Sequence, residues 1–161
     1  MTVTNRGADA LLKAVGAAML AAGPVMLWRG YGGRRDIRAE LTSQKVFFPR
    51  RGIPAHLADL AGRPVETGPQ ARVFAEMIKG SLARATDGRT YSEITAELHA
   101  AGDDEKLADL RQTAFMGETL RASLMSAYQA WEVTSLVTGL GALLTGLGAA
   151  LVASPRTGTP R

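Results

Sequence analysis

Residues 133 to 153 read VTSLVTGLGALLTGLGAALVA, twenty-one residues without a charge, closed by Ser154, Pro155 and Arg156. At about 1.5 Å per residue, a helix of that length reaches roughly 30 Å, the hydrocarbon thickness of a bilayer. A chain of 161 residues has little interior in which to hide it. The run is therefore expected to cross a membrane as segment 132–153, followed by a C-terminal tail at 154–161.

A second apolar run, Ala10 to Trp28 (ALLKAVGAAMLAAGPVMLW), is weaker. Lys13 splits it, Pro24 interrupts it, and much of it is alanine. As a signal anchor it would start near Leu11, with Lys13 snorkelling to the interface and Trp28 with Arg29 marking the far boundary. As a cleaved signal peptide it has the basic start, but Val25-Met26-Leu27-Trp28 is bulky where a cleavage site needs small residues. As a buried soluble helix it would need a larger core than the rest of the chain supplies. The anchor is the preferred reading, and sequence leaves open whether 10–28 is retained or cleaved. The chain then has a tail at 1–9, a membrane helix at 10–28, an extramembrane domain at 29–131 and the second membrane helix at 132–153.

In lipid no hydrophobic force drives helices together, so close approach along small residues supplies much of the attraction. Ala14, Ala18 and Ala22 recur at four-residue spacing, as do Thr134, Thr138, Ala142, Gly146 and Ala150. These stripes are the expected packing surfaces, facing either the other helix of the same chain or a second copy.

Charge falls between and outside the apolar runs. Residues 29 to 132 hold 15 Lys/Arg and 14 Asp/Glu, so the net charge of +4 comes mostly from Arg6, Lys13, Arg156 and Arg161. Basic residues flanking apolar segments fit anchoring at lipid headgroups. No basic run exceeds two residues and none interleaves with aromatics, which argues against nucleic acid. With no cysteine, disulfides, thiolate catalysis, iron–sulfur clusters and cysteine-ligated zinc are excluded.

The intervening domain reads as helical throughout. Ile37, Leu41 and Val46 form a narrow apolar stripe that ends at Phe47-Phe48-Pro49. Pro54 opens a short turn of helix, Ala55–Leu60, that Gly62 can close. Pro69 marks a helix start, and Ala71, Phe74, Met77/Ile78, Leu82 and Ala85 recur at helical spacing up to Asp87-Gly88. Thr90-Tyr91-Ser92-Glu93 is a capping box for a helix reaching Gly102. No proline interrupts Asp104 to Ala153, so one helix of some 50 residues, about 75 Å, could run into the bilayer, with Gly117 and Ser126 as places it could break. A continuous helix would couple the domain to the membrane segment. The expected fold class is all-α, two transmembrane helices flanking a small helical domain.

Candidate chemistry is sparse. His56 has Asp59 at i+3 and His99 has Asp103 across Gly102, but neither has a histidine partner at ligand spacing. Glu118 and Arg121, at i,i+3, suit an intrahelical ion pair, and their position near the membrane end of the helix makes them candidates for docking or lipid contact. Phe47 and Phe48 are candidates either for the domain core or for the lipid surface. Gly30-Tyr31-Gly32-Gly33 follows a helix rather than a strand and lacks Gly-Lys-Ser/Thr, so it reads as a hinge and not a phosphate loop. No serine elbow and no catalytic, cofactor or metal constellation is found.

Three stretches carry a resemblance. They are Glu40 to Pro49 (ELTSQKVFFP), Ala61 to Ala71 (AGRPVETGPQA) together with Asp87 to Glu93 (DGRTYSE), and Phe115 to Arg121 (FMGETLR). Together they resemble a group of uncharacterised two-helix membrane proteins of actinobacteria, over roughly residues 34 to 130. The resemblance implies the two-helix architecture and brings no activity with it. Some members are labelled as aromatic ring-opening dioxygenases. That chemistry needs an iron held by histidines and a carboxylate, which two isolated histidines do not provide.

The functional expectation is a non-enzymatic integral protein of the plasma membrane, multi-pass, serving as an interaction module or accessory subunit. Its partners would be membrane lipid and a membrane protein or a second copy. The alternative is a membrane-bound enzyme or lipid-binding protein with a site between the helical domain and the bilayer, involving Arg121, Glu118 and His56. Arginines near the helix ends lean towards a cytoplasmic domain, while a short basic N-terminus before a signal anchor leans the other way.

Overall fold

The computed structural model describes residues 3–154. The described residues form four α-helices and one 3-10 turn: α1 at Val3–Ser43, the 3-10 turn at Ala55–Leu60, α2 at Gly68–Ala85, α3 at Tyr91–Ala101 and α4 at Glu105–Ala153. The fold is all-α. Among the described residues the sole β-pairing is an isolated antiparallel bridge, Phe47 to Pro64. The described residues form two compact units, 3–35 with 132–154, and 36–131.

The first unit, in its described part, is an antiparallel pair of apolar helical segments. Pro24 lies inside α1 without ending it, and Gly30 to Gly33 are helical, so the expected hinge is a stretch of helix. The helices meet along glycines spaced by seven. A β-carbon on Gly16 would lie 3.0 Å from the Gly148 carbonyl oxygen, one on Gly148 2.7 Å from that of Gly16, and one on Gly33 2.7 Å from Thr134 Cγ2. Gly30 packs directly on the Thr138 hydroxyl. Seven residues are two turns, so glycines at that interval keep to one face with a small drift.

The expected stripes lie elsewhere. Ala14, Ala18 and Ala22 are exposed, as are Ala142, Gly146 and Ala150; of the named set, Thr134 and Thr138 are at the contact. Ala14 is two residues from Gly16, which on a helix turns it roughly 200° away. Glycine wins the contact because it has no β-carbon to hold the backbones apart. The contact threonines keep their hydroxyls satisfied: Thr138 donates to the Thr134 carbonyl and Thr145 to that of Gly141, both at 2.8 Å. At the end of the pair Arg34 donates to Ser135 Oγ at 2.8 Å.

The second unit is built around Leu41, Phe48, Val65, Ala71, Ala75 and Leu124. Ile37, Val46, Ile53 and Leu60 pack on this core from the first half of the unit, and Phe74, Met77 and Ile78 from α2. The loop after α1 is pinned by backbone bonds around the bridge: Phe48 N–H to Arg63 O at 2.9 Å, Val65 N–H to Val46 O at 2.9 Å and Gly62 N–H to Phe48 O at 3.2 Å. Extended backbone sends neighbouring side chains to opposite sides. Phe48 is accordingly 1% exposed and Phe47 56%. Phe48 is therefore a core residue, not a lipid-facing one, and meets Phe74 edge-on at 5.3 Å between centroids.

Helix ends follow their local signals. Thr67 and Gln70 form a capping box at the start of α2, the Gln70 carbonyl accepting from the backbone of Glu66 and Thr67. Thr90 and Glu93 do the same for α3. Asp87 and Gly88, both at positive φ, turn the chain after α2, and Asp104 accepts from the backbone of Lys106 and Leu107 at the start of α4. α4 runs unbroken through Gly117 and Ser126. Gly68 is required by close approach, since a β-carbon there would collide with Trp131 Cβ and Cγ.

Candidate functional site

One face of α2 repeats every four residues as Arg72, Glu76, Gly80 and Arg84, with Val73, Met77 and Ser81 beside it. Four-residue spacing stacks side chains in a row along a helix. Opposite that row, the pinned loop and the 3-10 turn bring Arg51 and His56 to the rim. The result is an open cleft of about 700 Å³, lined by residues of the 36–131 unit alone. Its charge is one-sided, three arginines against one glutamate. Among the described residues no ion pair engages any of these three arginines or Glu76.

Two of the guanidinium groups are held in place. Arg72 lies over the Tyr128 ring, 5.1 Å from its centroid, and donates to the Tyr128 hydroxyl at 3.0 Å. Arg84 donates to Ser81 Oγ at 3.1 Å and folds back over Gly80, where a β-carbon would sit 3.6 Å from its nitrogen. A planar guanidinium fixed by a ring or a hydroxyl still presents donors in a fork suited to an oxyanion.

A second hollow of about 320 Å³ shares Pro49, Met77 and Ser81 with the cleft. Its other walls are apolar, chiefly Phe74, Ile78, Leu82, Ala85 and Gly117. A basic cleft and a largely apolar trough thus adjoin along these shared residues.

The residues singled out from sequence fall in several places. Glu118 and Arg121 make their ion pair at 3.1 Å, with the Arg121 side chain 29% exposed and its Nε enclosed without a partner. Exposed pairs of this kind contribute little. Phe47 is exposed on the loop. His56 is exposed on the 3-10 turn and lines the basic cleft, whereas His99 lies in a separate open hollow beside Asp103, Asp104 and Glu105. Glu118 lies instead at a hollow with Leu82, Thr86, Arg89 and Tyr91. Among the described residues, no group of three or more His, Asp or Glu side chains could hold a metal ion.

No protein-family model, curated protein or solved structure matches the chain. The site therefore has to be read from its own chemistry. Sequence reasoning missed Arg51, Arg72 and Arg84. The four-residue row along α2 was the signal for two of them; Arg51 reaches the cleft only through the fold of the loop.

Proposed function

We propose that this chain is a multi-pass protein of the plasma membrane, in which the paired apolar segments of α1 and α4 cross the bilayer and the 36–131 unit serves as an interaction module or accessory subunit. One observation carries the membrane reading. Both helices contain an 18-residue window of mean hydropathy 1.8 or higher, and 11% of either window is buried within the protein. The core helix of a soluble protein buries its apolar face, whereas these stay uncovered even though they are paired. Trp28 is 76% exposed and Leu136 73%, with Leu11, Val25, Leu143 and Leu147 all more than half exposed. So much apolar surface in water would associate or aggregate; hydrocarbon covers it. The glycine contact supports the same reading, because close backbone approach replaces the missing hydrophobic drive in lipid.

The test is topology. The chain has no cysteine, so Ala100→Cys on α3 and Thr157→Cys in the C-terminal tail can each be labelled in whole cells with a membrane-impermeant thiol reagent. Two crossings put both tails on one side and the domain on the other, so one of the two positions reacts and the other does not. Reaction at 100 directs the search for partners outside the cell, and reaction at 157 directs it to the cytoplasm. Reaction at both positions would overturn the hairpin reading.

A further inference from the structure

We propose that the basic cleft and the apolar trough beside it form one binding site for an anionic phospholipid, its phosphate held by Arg51 and Arg84 and its acyl chain laid along the trough. The lipid as source rests on the membrane reading above; the site itself rests on the 36–131 unit.

The charge comes first. Three arginines line one cleft with Glu76 as its sole acidic lining residue, and among the described residues no ion pair neutralises them. Arg72 and Arg84 stand about 18 Å apart along α2, so Arg72 adds to the potential of the cleft while Arg84 lies at its junction with the trough. Like charges gathered in a concavity repel one another and focus a positive potential on whatever enters it. An anion removes that repulsion. A phosphate suits more than one arginine better than a carboxylate does, because it offers more acceptor oxygens and accepts paired N–H bonds from each. Arg84 is already oriented by Ser81, so less side-chain freedom is lost when the anion binds.

The trough identifies the rest of the ligand. Pro49, Met77 and Ser81 are common to both hollows, and Arg84 bonds Ser81, so a molecule whose head lies at Arg84 reaches the second hollow by crossing these shared residues. Beyond that junction the walls are chiefly Phe74, Ile78, Leu82 and Ala85, with Thr113 and Gly117. An inorganic anion would leave this surface wet, and a neutral lipid would leave the arginines unpaired. A phosphate joined to a hydrocarbon chain matches both. The cleft volume of about 700 Å³ falls within the usual range for small-molecule sites.

The experiment titrates the full chain, purified in a neutral detergent, with dihexanoyl phosphatidic acid, and reads binding by calorimetry. Dihexanoyl phosphatidylcholine and inorganic phosphate are titrated in parallel. Saturable binding of the phosphatidic acid is expected, at least tenfold tighter than either control. It should weaken about tenfold or more in the double variant Arg51→Gln/Arg84→Gln and in Ala85→Trp, which fills the trough from its exposed rim. All of these positions are exposed, so the variants should keep the parent melting temperature. Phosphatidylcholine binding equally well would overturn recognition of the charge. Inorganic phosphate binding equally well would make the site one for free phosphate and overturn the lipid. Binding unchanged in both variants would overturn the location. The probe is water-soluble, so the titration reads the cleft whatever the fate of the hairpin reading, which thiol labelling decides separately.

Discussion

Gly23 and Gly141 are reciprocal neighbours. A β-carbon built on either one lies 2.8 Å from the carbonyl oxygen of the other. The helix backbones are therefore in contact at that level, with no side chain between them. Gly23→Val and Gly141→Val should each force the helices apart at a cost of about 1–3 kcal/mol, the usual range for overpacking a close contact. Gly139→Ala and Gly146→Ala, where a β-carbon meets open space, should be neutral or slightly stabilising because alanine is the better helix former. Thermal unfolding in detergent micelles separates the two classes, and equal melting temperatures for all four would count against the packing.

Phe47 and Phe48 should respond oppositely to truncation. Phe48→Ala removes a ring from the core and its edge contact with Phe74, and should cost about 3–5 kcal/mol. Phe47→Ala should stay within about 0.5 kcal/mol, as substitutions at exposed positions do. Denaturant titration of the two variants against the parent chain measures both. A large loss at Phe47 would mean the bridge register is misassigned.

Gly68→Ala places a methyl group against Trp131. The start of α2 must then move away from α4, exposing the indole. In a Trp28→Phe background, where Trp131 is the sole tryptophan, its emission should shift to longer wavelength and the melting temperature should fall. An unshifted spectrum would show that the two elements are not in contact.

The capping box of α3 should make its stability depend on acid. Glu93 accepts from the Thr90 backbone N–H at 2.7 Å and from the Thr90 hydroxyl at 2.8 Å. These bonds, the backbone one first, hold its carboxyl below the ordinary glutamate value. A folded pKa below the unfolded one gives stability that is present above the unfolded pKa, about 4.3. That stability is lost as pH falls through the folded value. Amide exchange across residues 91–101 should quicken on acidification, and Glu93→Gln, which keeps an acceptor that does not titrate, should flatten that dependence. Thr90→Ala should weaken the helix start at all pH values, by about 1 kcal/mol.

Sequence disclosed the features that depend on neighbours along the chain. The Thr90–Glu93 box, the proline at the start of α2, the turn at Asp87-Gly88 and the uninterrupted α4 each rest on a few adjacent residues, and each is where its local chemistry puts it. The contacts between distant segments were less legible. Gly30 to Gly33 read as a hinge because glycine in isolation is permissive, yet Gly30 and Gly33 are helical and packed against Thr138 and Thr134. Four-residue spacing picks out the alanines, whereas the contact uses glycines seven apart. Of the cleft, the row from Arg72 to Arg84 could be seen along one helix, but its partner Arg51 is brought there by the Phe47–Pro64 bridge.

Glycines repeated every seven residues make a ladder with equal rungs. Sliding one helix along the other by two turns, about 10 Å, would lay Gly23 against Gly148 and Gly30 against Gly141, a fit nearly as close as the native one. The glycines therefore set how near the helices come and leave their register degenerate. The hydrogen bond from Arg34 to Ser135 and the seat of Gly33 on the Thr134 methyl have no counterpart one rung away. They act as the pawl on this ratchet, and they alone among these contacts tell the hairpin where to stop.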